Sequence, residues 1–197
     1  MLNNIETATA LAQRSAEELV AGLDEIRRSP RERGTVAAIV ARPGTNQRLC
    51  VERAELSPEN GLAGDRWRAE SWLKLPSGAP DPAVQITLMN ARCIRLIAGE
   101  ANQELWSLAG DNLFVDLDLS VANLPVGTRL QIGECVLEIT RPAHNGCGKF
   151  KRRFGKDAHA FVNSKEGKAL RLRGVHARIV MAGEVAVGDV IERGLCG

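Results

Sequence analysis

Leu124-Pro125-Val126-Gly127-Thr128-Arg129-Leu130-Gln131-Ile132-Gly133-Glu134-Cys135-Val136-Leu137-Glu138-Ile139-Thr140 decides the fold class of this chain. Residues 129–133 and 135–140 read as two short strands, with Gly133-Glu134 as the hairpin turn between them. The Val126-Gly127 turn before the first strand has an echo. Leu124 to Leu130 returns loosely as Val185-Ala186-Val187-Gly188-Asp189-Val190-Ile191, again a Val-Gly turn just before a strand. The two turns read as pseudo-equivalent corners of one β structure.

Strand signals continue on both sides. Towards the N-terminus they cover 35–42, a return strand at 48–56, 84–89 and 113–119. Towards the C-terminus they cover 169–174, 175–183 and 189–194. Glycine-rich turns lie between many of them, at Pro43-Gly44-Thr45-Asn46, at 59–67 and at Gly110-Asp111-Asn112. Residues 74–83 hold three prolines and read as loop. Residues 89–100 read as a short helix with Ile94 and Ile97 inward and Gly99 closing it. Residues 142–154 read as loop, and 156–167 as one or two helical turns. Many short strands with few helices predict a mainly β fold, a barrel or a sandwich. A doubly wound sheet needs a regular strand–helix alternation that is missing here.

The N-terminal part differs. Over 5–28, Leu11, Ser15, Leu19, Gly22, Leu23 and Ile26 follow a 3.6-residue period and predict an amphipathic helix, ended by Ser29-Pro30. The expected division is therefore 1–33, a helix and charged linker, and 34–197, the β domain. The helix reads as an arm that packs on the domain or on a second subunit, which makes a homodimer an expectation.

Bulk composition bounds the function. The chain has 197 residues, 44% hydrophobic and 25% charged, enough for one substantial core. A net charge of +2 and the lack of tyrosine argue against a general nucleic-acid role, including RNA binding through 149–153. Neither a signal peptide nor a membrane span is legible. Five cysteines, none at C-x-x-C spacing, fit neither a disulfide framework nor a zinc site. A reducing, cytoplasmic setting follows as the expectation.

The densest chemistry lies in Arg141-Pro142-Ala143-His144-Asn145-Gly146-Cys147-Gly148-Lys149-Phe150-Lys151-Arg152-Arg153. Cys147 stands between two glycines, with five cations and a histidine within six residues. Nearby positive charge favours the thiolate, which is the nucleophile and the soft metal ligand. The same cations suit an oxyanion. A lone cysteine is more often a small core residue, and that reading is preferred for Cys50, Cys93 and Cys135; Cys196 reads as incidental. His144 is a candidate proton acceptor beside Cys147. Gly64-Asp65-Arg66 and Gly110-Asp111-Asn112 read first as turns, and second as presenters of backbone N–H groups or of Asn112 to a ligand. His159 and His176 have no ligand-like spacing.

Taken in order, Gly61-Leu62-Ala63-Gly64-Asp65-Arg66, Gly110-Asp111-Asn112-Leu113, 126–133, Cys147 with Lys149, and Val187-Gly188-Asp189 resemble a MOSC domain, the C-terminal domain of molybdenum cofactor sulfurases. The resemblance spans about 34–193. It implies a closed β-barrel of the pyruvate-kinase-barrel type, here with an N-terminal helix. It implies molybdenum cofactor as the ligand and a cysteine that carries sulfur or coordinates molybdenum, which falls on Cys147. Its GEN-like motif falls on Gly110, Asp111 and Asn112, with Asp in place of Glu. The chain holds no pyridoxal-phosphate desulfurase domain, so a separate cysteine desulfurase, or a molybdoenzyme, is the implied partner.

Three functions follow as expectations. In the first, Cys147 is a sulfur carrier or sulfurtransferase residue, with His144 nearby and Arg141, Lys149 and Arg152 holding the acceptor's phosphate; Gly64 and Asp65 join Gly110, Asp111 and Asn112 in the cofactor site. In the second, Cys147 ligates molybdenum in a reductase of N-hydroxylated compounds. In the third, the barrel is a non-catalytic binding module for an anionic cofactor.

Overall fold

The computed structural model of the chain describes residues 3–4, 13–99 and 103–194. The anticipated barrel is present and closed. Its strands are β2 (Arg33–Ala41), β6 (Ile86–Asn90), β7 (Leu113–Asp116), β8 (Arg129–Ile132), β9 (Cys135–Ile139), β10 (Val175–Met181) and β12 (Val190–Arg193). They run in the order β2-β12-β8-β9-β10-β6-β7, and β7 pairs back onto β2 to close the ring. Closure removes the two free edges that an open sheet of this size would leave unpaired.

The hairpin quoted at the outset forms as read. Leu130 faces Leu137, Ile132 faces Cys135, and Gly133 turns the chain at φ 57°. The two Val-Gly corners are also alike in backbone: Gly127 has φ 91° and Gly188 has φ 92°. The strands they lead into, β8 and β12, are hydrogen-bonded neighbours.

Side strands complete the β structure. β3 (Gln47–Val51) pairs with β2, and the short β1 (Asn3–Asn4) pairs with β3. β4 (Arg53–Ser57), β5 (Gly61–Leu62) and β11 (Gly183–Ala186) form a separate three-stranded sheet. The expected single return strand at 48–56 is thus two strands, divided at Glu52 between two sheets. The expected strand at 175–183 likewise ends at Met181, and β11 starts a new sheet.

The barrel wall separates two cores. Inward side chains such as Leu88, Leu113, Val115, Leu130, Leu137 and Ile191 fill the lumen. Outward ones on the same strands, Ala38, Val40, Met89 and Phe114, pack under helices. The β2 register shifts between Val36 and Ala38, which keeps alternation on both sides of the bulge. β6 and β7 are parallel, so the chain must cross over between them. α4 (Ala91–Ala98) and α5 (Gln103–Ser107) make that crossover. Asn90 caps α4 by accepting from Cys93 N at 2.9 Å, and Gly99 ends it at φ 97°.

The N-terminal helix departs from expectation. Helical turns occur at α1 (Ala16–Ala21) and α2 (Leu23–Arg27), broken at Gly22; the part of the expected helix at 5–12 lies outside the described residues. A Cβ on Gly22 would stand 2.4 Å from Leu96, so the break is a close approach to α4. Leu19, Leu23 and Ile26 are buried in the outer core of this same chain.

Two further expectations fail. Residues 148–154 are helical, not loop: α6 (Gly148–Asn163) begins directly after Cys147 and is interrupted only at Gly155, φ 91°. The cations hid an apolar pair one turn apart, Phe150 and Phe154, whose rings lie 4.7 Å apart in the outer core. The expected strand at 169–174 is absent. α7 (Lys165–Ala169) ends at Leu170, and Arg171 takes a left-handed φ of 50° with its guanidinium on Leu124 O at 2.5 Å. The Leu–Arg alternation there reflects one buried leucine, Leu172, between arginines bound by distant carbonyls and a carboxylate, not a sheet period.

No described helix is long and apolar enough to cross a membrane.

Candidate functional site

The Gly110-Asp111-Asn112 turn enters β7 at the rim of the barrel, and both polar side chains are fully buried. Asn112 acts as a hub. Its Oδ1 accepts from Thr87 N at 3.2 Å and Thr87 Oγ1 at 3.1 Å. Its Nδ2 donates to Val40 O at 3.2 Å and to Asp65 Oδ2 at 2.9 Å. Asp65 in turn takes Arg42 Nε at 2.7 Å, Arg42 NH2 at 3.1 Å and Trp67 N at 2.9 Å. Arg42 NH1 closes the circle by donating to Gly110 O at 3.0 Å. The two turns singled out in the sequence, Gly64-Asp65 and Gly110-Asp111-Asn112, are therefore joined in one buried network. Burial alone would raise the Asp65 carboxyl, but Arg42 and the N–H donors outweigh it and hold it below the usual range.

Asp111 has a different partner. Arg173 NH1 donates to its Oδ2 at 2.6 Å, and Arg173 NH2 donates to Ala109 O at 2.8 Å. Burial pushes the Asp111 carboxyl up, with Arg173 opposing. Against the other oxygen, Oδ1, stands His144 Nε2 at 3.4 Å. His144 is 10% exposed and packs its ring 4.5 Å from that of His176. Burial first, then Arg173, drives both imidazoles towards the neutral form, His176 to about 4. A cleft of about 130 Å³ opens here between Arg42, Arg66, Trp72, Thr87 and the two histidines.

Positive charge accumulates beside this network. Arg48 is 6% exposed and donates to Ser107 O at 3.1 Å. Burial, then Arg153, Arg42 and Arg66, pushes its guanidinium down to about 10. Arg153 donates to Leu108 O at 2.7 Å, and burial lowers it too. Like charges gathered in partly buried positions are destabilising unless an anion neutralises them.

Cys147 lies next to this basin. It is the N-cap residue of α6 and is exposed, whereas Cys93 and Cys135 are buried and Cys50 is half-buried. Partial burial acts to raise its thiol. The N–H groups of Phe150 and Lys149, with Arg173, outweigh that and bring it below its ordinary value. Burial raises the other three described cysteines, Cys93 to about 12 and Cys135 to about 11. The loop holding Cys147 is fixed through Gly146. Its N–H donates to Asn163 Oδ1 at 3.0 Å, and His159 Nε2 lies 3.0 Å from its carbonyl. His159, without a role in the sequence reading, is a brace for this loop.

The model of the MOSC domain matches residues 82–192. The chain belongs to the MOSC domain family. That family is associated with molybdenum cofactor. Solved structures show the same fold. YuaD from Bacillus subtilis superposes with a TM-score of 0.58 at 18% identity, over 82% of this chain and 95% of that one. YiiM from Escherichia coli gives 0.53 at 20% identity, over 82% and 69%. YiiM from Geobacillus stearothermophilus gives 0.51 at 11%, over 82% and 75%. No curated protein matches the sequence.

Within this MOSC domain the sequence-derived site residues fall into three groups. Gly64, Asp65, Gly110, Asp111, Asn112 and His144 converge on the buried network. Lys149 and Arg152 are exposed on the first turns of α6 near Cys147, and Arg141 lines a separate cavity under the 140–146 loop. Sequence reading missed Arg42, Arg48, Arg173, His176 and Thr87, and counted Arg153 only among the cations near Cys147. They come from strand ends and helices far apart in the chain, and only the closed barrel gathers them. Among the described residues, no group of three His, Cys, Asp or Glu is placed to hold a metal ion.

Proposed function

We propose that this MOSC domain is a sulfur carrier whose carrying atom is Cys147 Sγ, serving an anionic acceptor held by the arginine basin. One observation carries the reading. Cys147 is the described cysteine that is exposed and whose thiol is lowered, and it adjoins a cluster of arginines in which Arg42, Arg66 and Arg173 have carboxylate partners while Arg48 and Arg153 are held by carbonyls alone. The family's molybdenum cofactor is compatible with this donor set: Arg48 and Arg153 suit an anionic phosphate, and a thiolate suits a soft metal. Bound there, the cofactor supplies the metal–sulfur chemistry; the chain supplies orientation and charge.

The loading step needs only the chain and a persulfide donor, such as a separate cysteine desulfurase. The Cys147 thiolate attacks the donor's outer sulfur. A sulfur–sulfur bond forms on Cys147, the donor's own sulfur–sulfur bond breaks, and the donor departs as a thiolate. Attack of an acceptor nucleophile on the outer sulfur returns Cys147 to the thiolate, so no external oxidant enters. Nearby Arg173 and the α6 N–H groups stabilise the thiolate at both stages.

Incubation with glutathione persulfide followed by peptide mass analysis tests the reading. The peptide containing Cys147 is expected to gain one sulfur atom, and Cys147→Ser to abolish the gain. If wild-type protein gains none, the carrier reading falls. The exposed thiolate also favours a second reading, direct ligation of molybdenum in a reductase. Under that reading molybdenum co-purifies from a cofactor-competent host in about equimolar amount and is lost in Cys147→Ser.

A further inference from the structure

Five buried side-chain polar atoms among the described residues lack a hydrogen-bond partner. Four of them, Asp111 Oδ1, His144 Nδ1, His176 Nδ1 and Arg173 Nε, belong to the contiguous Asp111–Arg173–His144–His176 group. Such atoms are rare in folded proteins and mark a place where something polar binds. Three of these residues, Arg173, His144 and His176, line one or both of two adjoining cavities. One is the small cleft facing Arg42 and Trp72. The other, of about 230 Å³, lies beneath the 140–146 loop, and His144 and His176 form the wall shared by both.

The larger cavity has a distinctive lining. Four cations face it, Arg141, Lys168, Arg171 and Arg173, and no Asp or Glu does. Arg171 and Arg173 are committed to Leu124 O and to Asp111. Arg141 and Lys168 are exposed at the mouth and reach no carboxylate among the described residues. The side walls are apolar, from Val121, Pro142, Val162 and Val175. His144 lies in the wall shared with the small cleft, and burial disfavours its charged form. Its Nδ1 has no partner among the described residues and is open to a polar group of a ligand. Arg173 lines the same cavity, and its Nε is likewise without a partner. The lining thus leaves two nitrogens unpartnered, and a hydroxyl group, which both donates and accepts, can satisfy both. The chain also holds Arg171 at a left-handed φ of 50° next to this cavity, a strained backbone of the kind that collects at binding sites.

We propose that this cavity binds a small hydroxy acid, with its carboxylate on Arg141 and Lys168 at the mouth. Its hydroxyl donates to His144 Nδ1 and accepts from Arg173 Nε, and its short apolar chain lies against the valine walls. The volume is below that of a typical drug-sized pocket, which limits the ligand to a few carbons. Cys147 does not line this cavity, although Arg173 serves both it and the proposed sulfur chemistry.

Three histidines make the test clean. In intact protein labelled with ¹⁵N-histidine, titration with 4-hydroxybutyrate is expected to shift the imidazole nitrogens of His144 and His176. His159, which does not line the cavity, should stay unmoved. Butyrate, which lacks the hydroxyl, should bind about tenfold more weakly. Arg141→Ala with Lys168→Ala should weaken 4-hydroxybutyrate by about tenfold or more, while the exposed control Lys156→Ala binds as wild type. Both mouth residues are exposed, so the pair of changes leaves the fold intact. The proposal is overturned if neither buried histidine moves, if His159 moves as much, if butyrate binds equally well, or if the double variant keeps wild-type affinity.

Discussion

At the scale of single residues, the molecule depends on charges it buries and pairs. Arg173 is 7% exposed at its side chain and carries the fully buried Asp111. Replacing Arg173 with Met removes the partner and leaves a carboxylate in a low-dielectric site. The expected cost is about 3 kcal/mol or more, measured by urea unfolding; Asp111→Asn combined with Arg173→Met should recover part of it. His176 gives a second prediction. Its folded pKa is pushed down to about 4 by burial, against a reference value of 6.5. Between those values the unfolded chain binds more protons than the folded one, so stability rises with pH. The contribution is fully present above pH 6.5, falls as the pH drops towards about 4, and levels off below that. Its size is about 3 kcal/mol, and burial of His144 adds in the same direction. Unfolding of His176→Gln measured across this range should show a flatter pH dependence than wild type.

At the scale of elements, glycines with the same backbone sign differ sharply in what surrounds them. Gly174 has φ 107°, and a Cβ there would stand 2.2 Å from Leu88 O on the neighbouring strand. Gly188 has φ 92° with nothing within 4 Å. Gly188→Ala should therefore cost only the left-handed penalty, about 1 kcal/mol. Gly174→Ala adds a backbone clash that the β6–β10 pairing must absorb, and should cost about 3 kcal/mol or more. Thermal melting of the two variants checks the contrast. The comparison also shows what was legible locally. The Val-Gly corners and the 124–140 hairpin were readable because each is specified by a turn residue beside its strand. The strand expected at 169–174 was not real, because its alternation served contacts made far along the chain.

At the scale of the whole molecule, the barrel is buried on both faces where the helices cover it. Leu19 on α1 is fully buried against that outer core. Leu19→Ala should cost about 3 kcal/mol and lower the midpoint of chemical unfolding, even though the residue is far from Cys147. Should the change leave stability untouched, the helical arm contributes nothing to the outer core.

The sequence by itself determined the class of the fold and the family, and it showed the cation-rich segment around Cys147. Those rest on short-range signals: strands set by their turns, a chain of motifs in fixed order, and cations adjacent to a thiol. It also supplied Asp65, Asp111 and Asn112 as separate turn residues without showing that they meet. Only the tertiary structure decided that they form one network, that Arg42, Arg48, Arg153 and Arg173 gather beside it, and that His176 faces His144. The physical reason is barrel closure. Pairing β7 back onto β2 brings Asn112 to Val40 and Arg42 to Gly110, contacts across separations that no local period encodes. The same closure made a buried wall of two histidines whose spacing in sequence had suggested nothing.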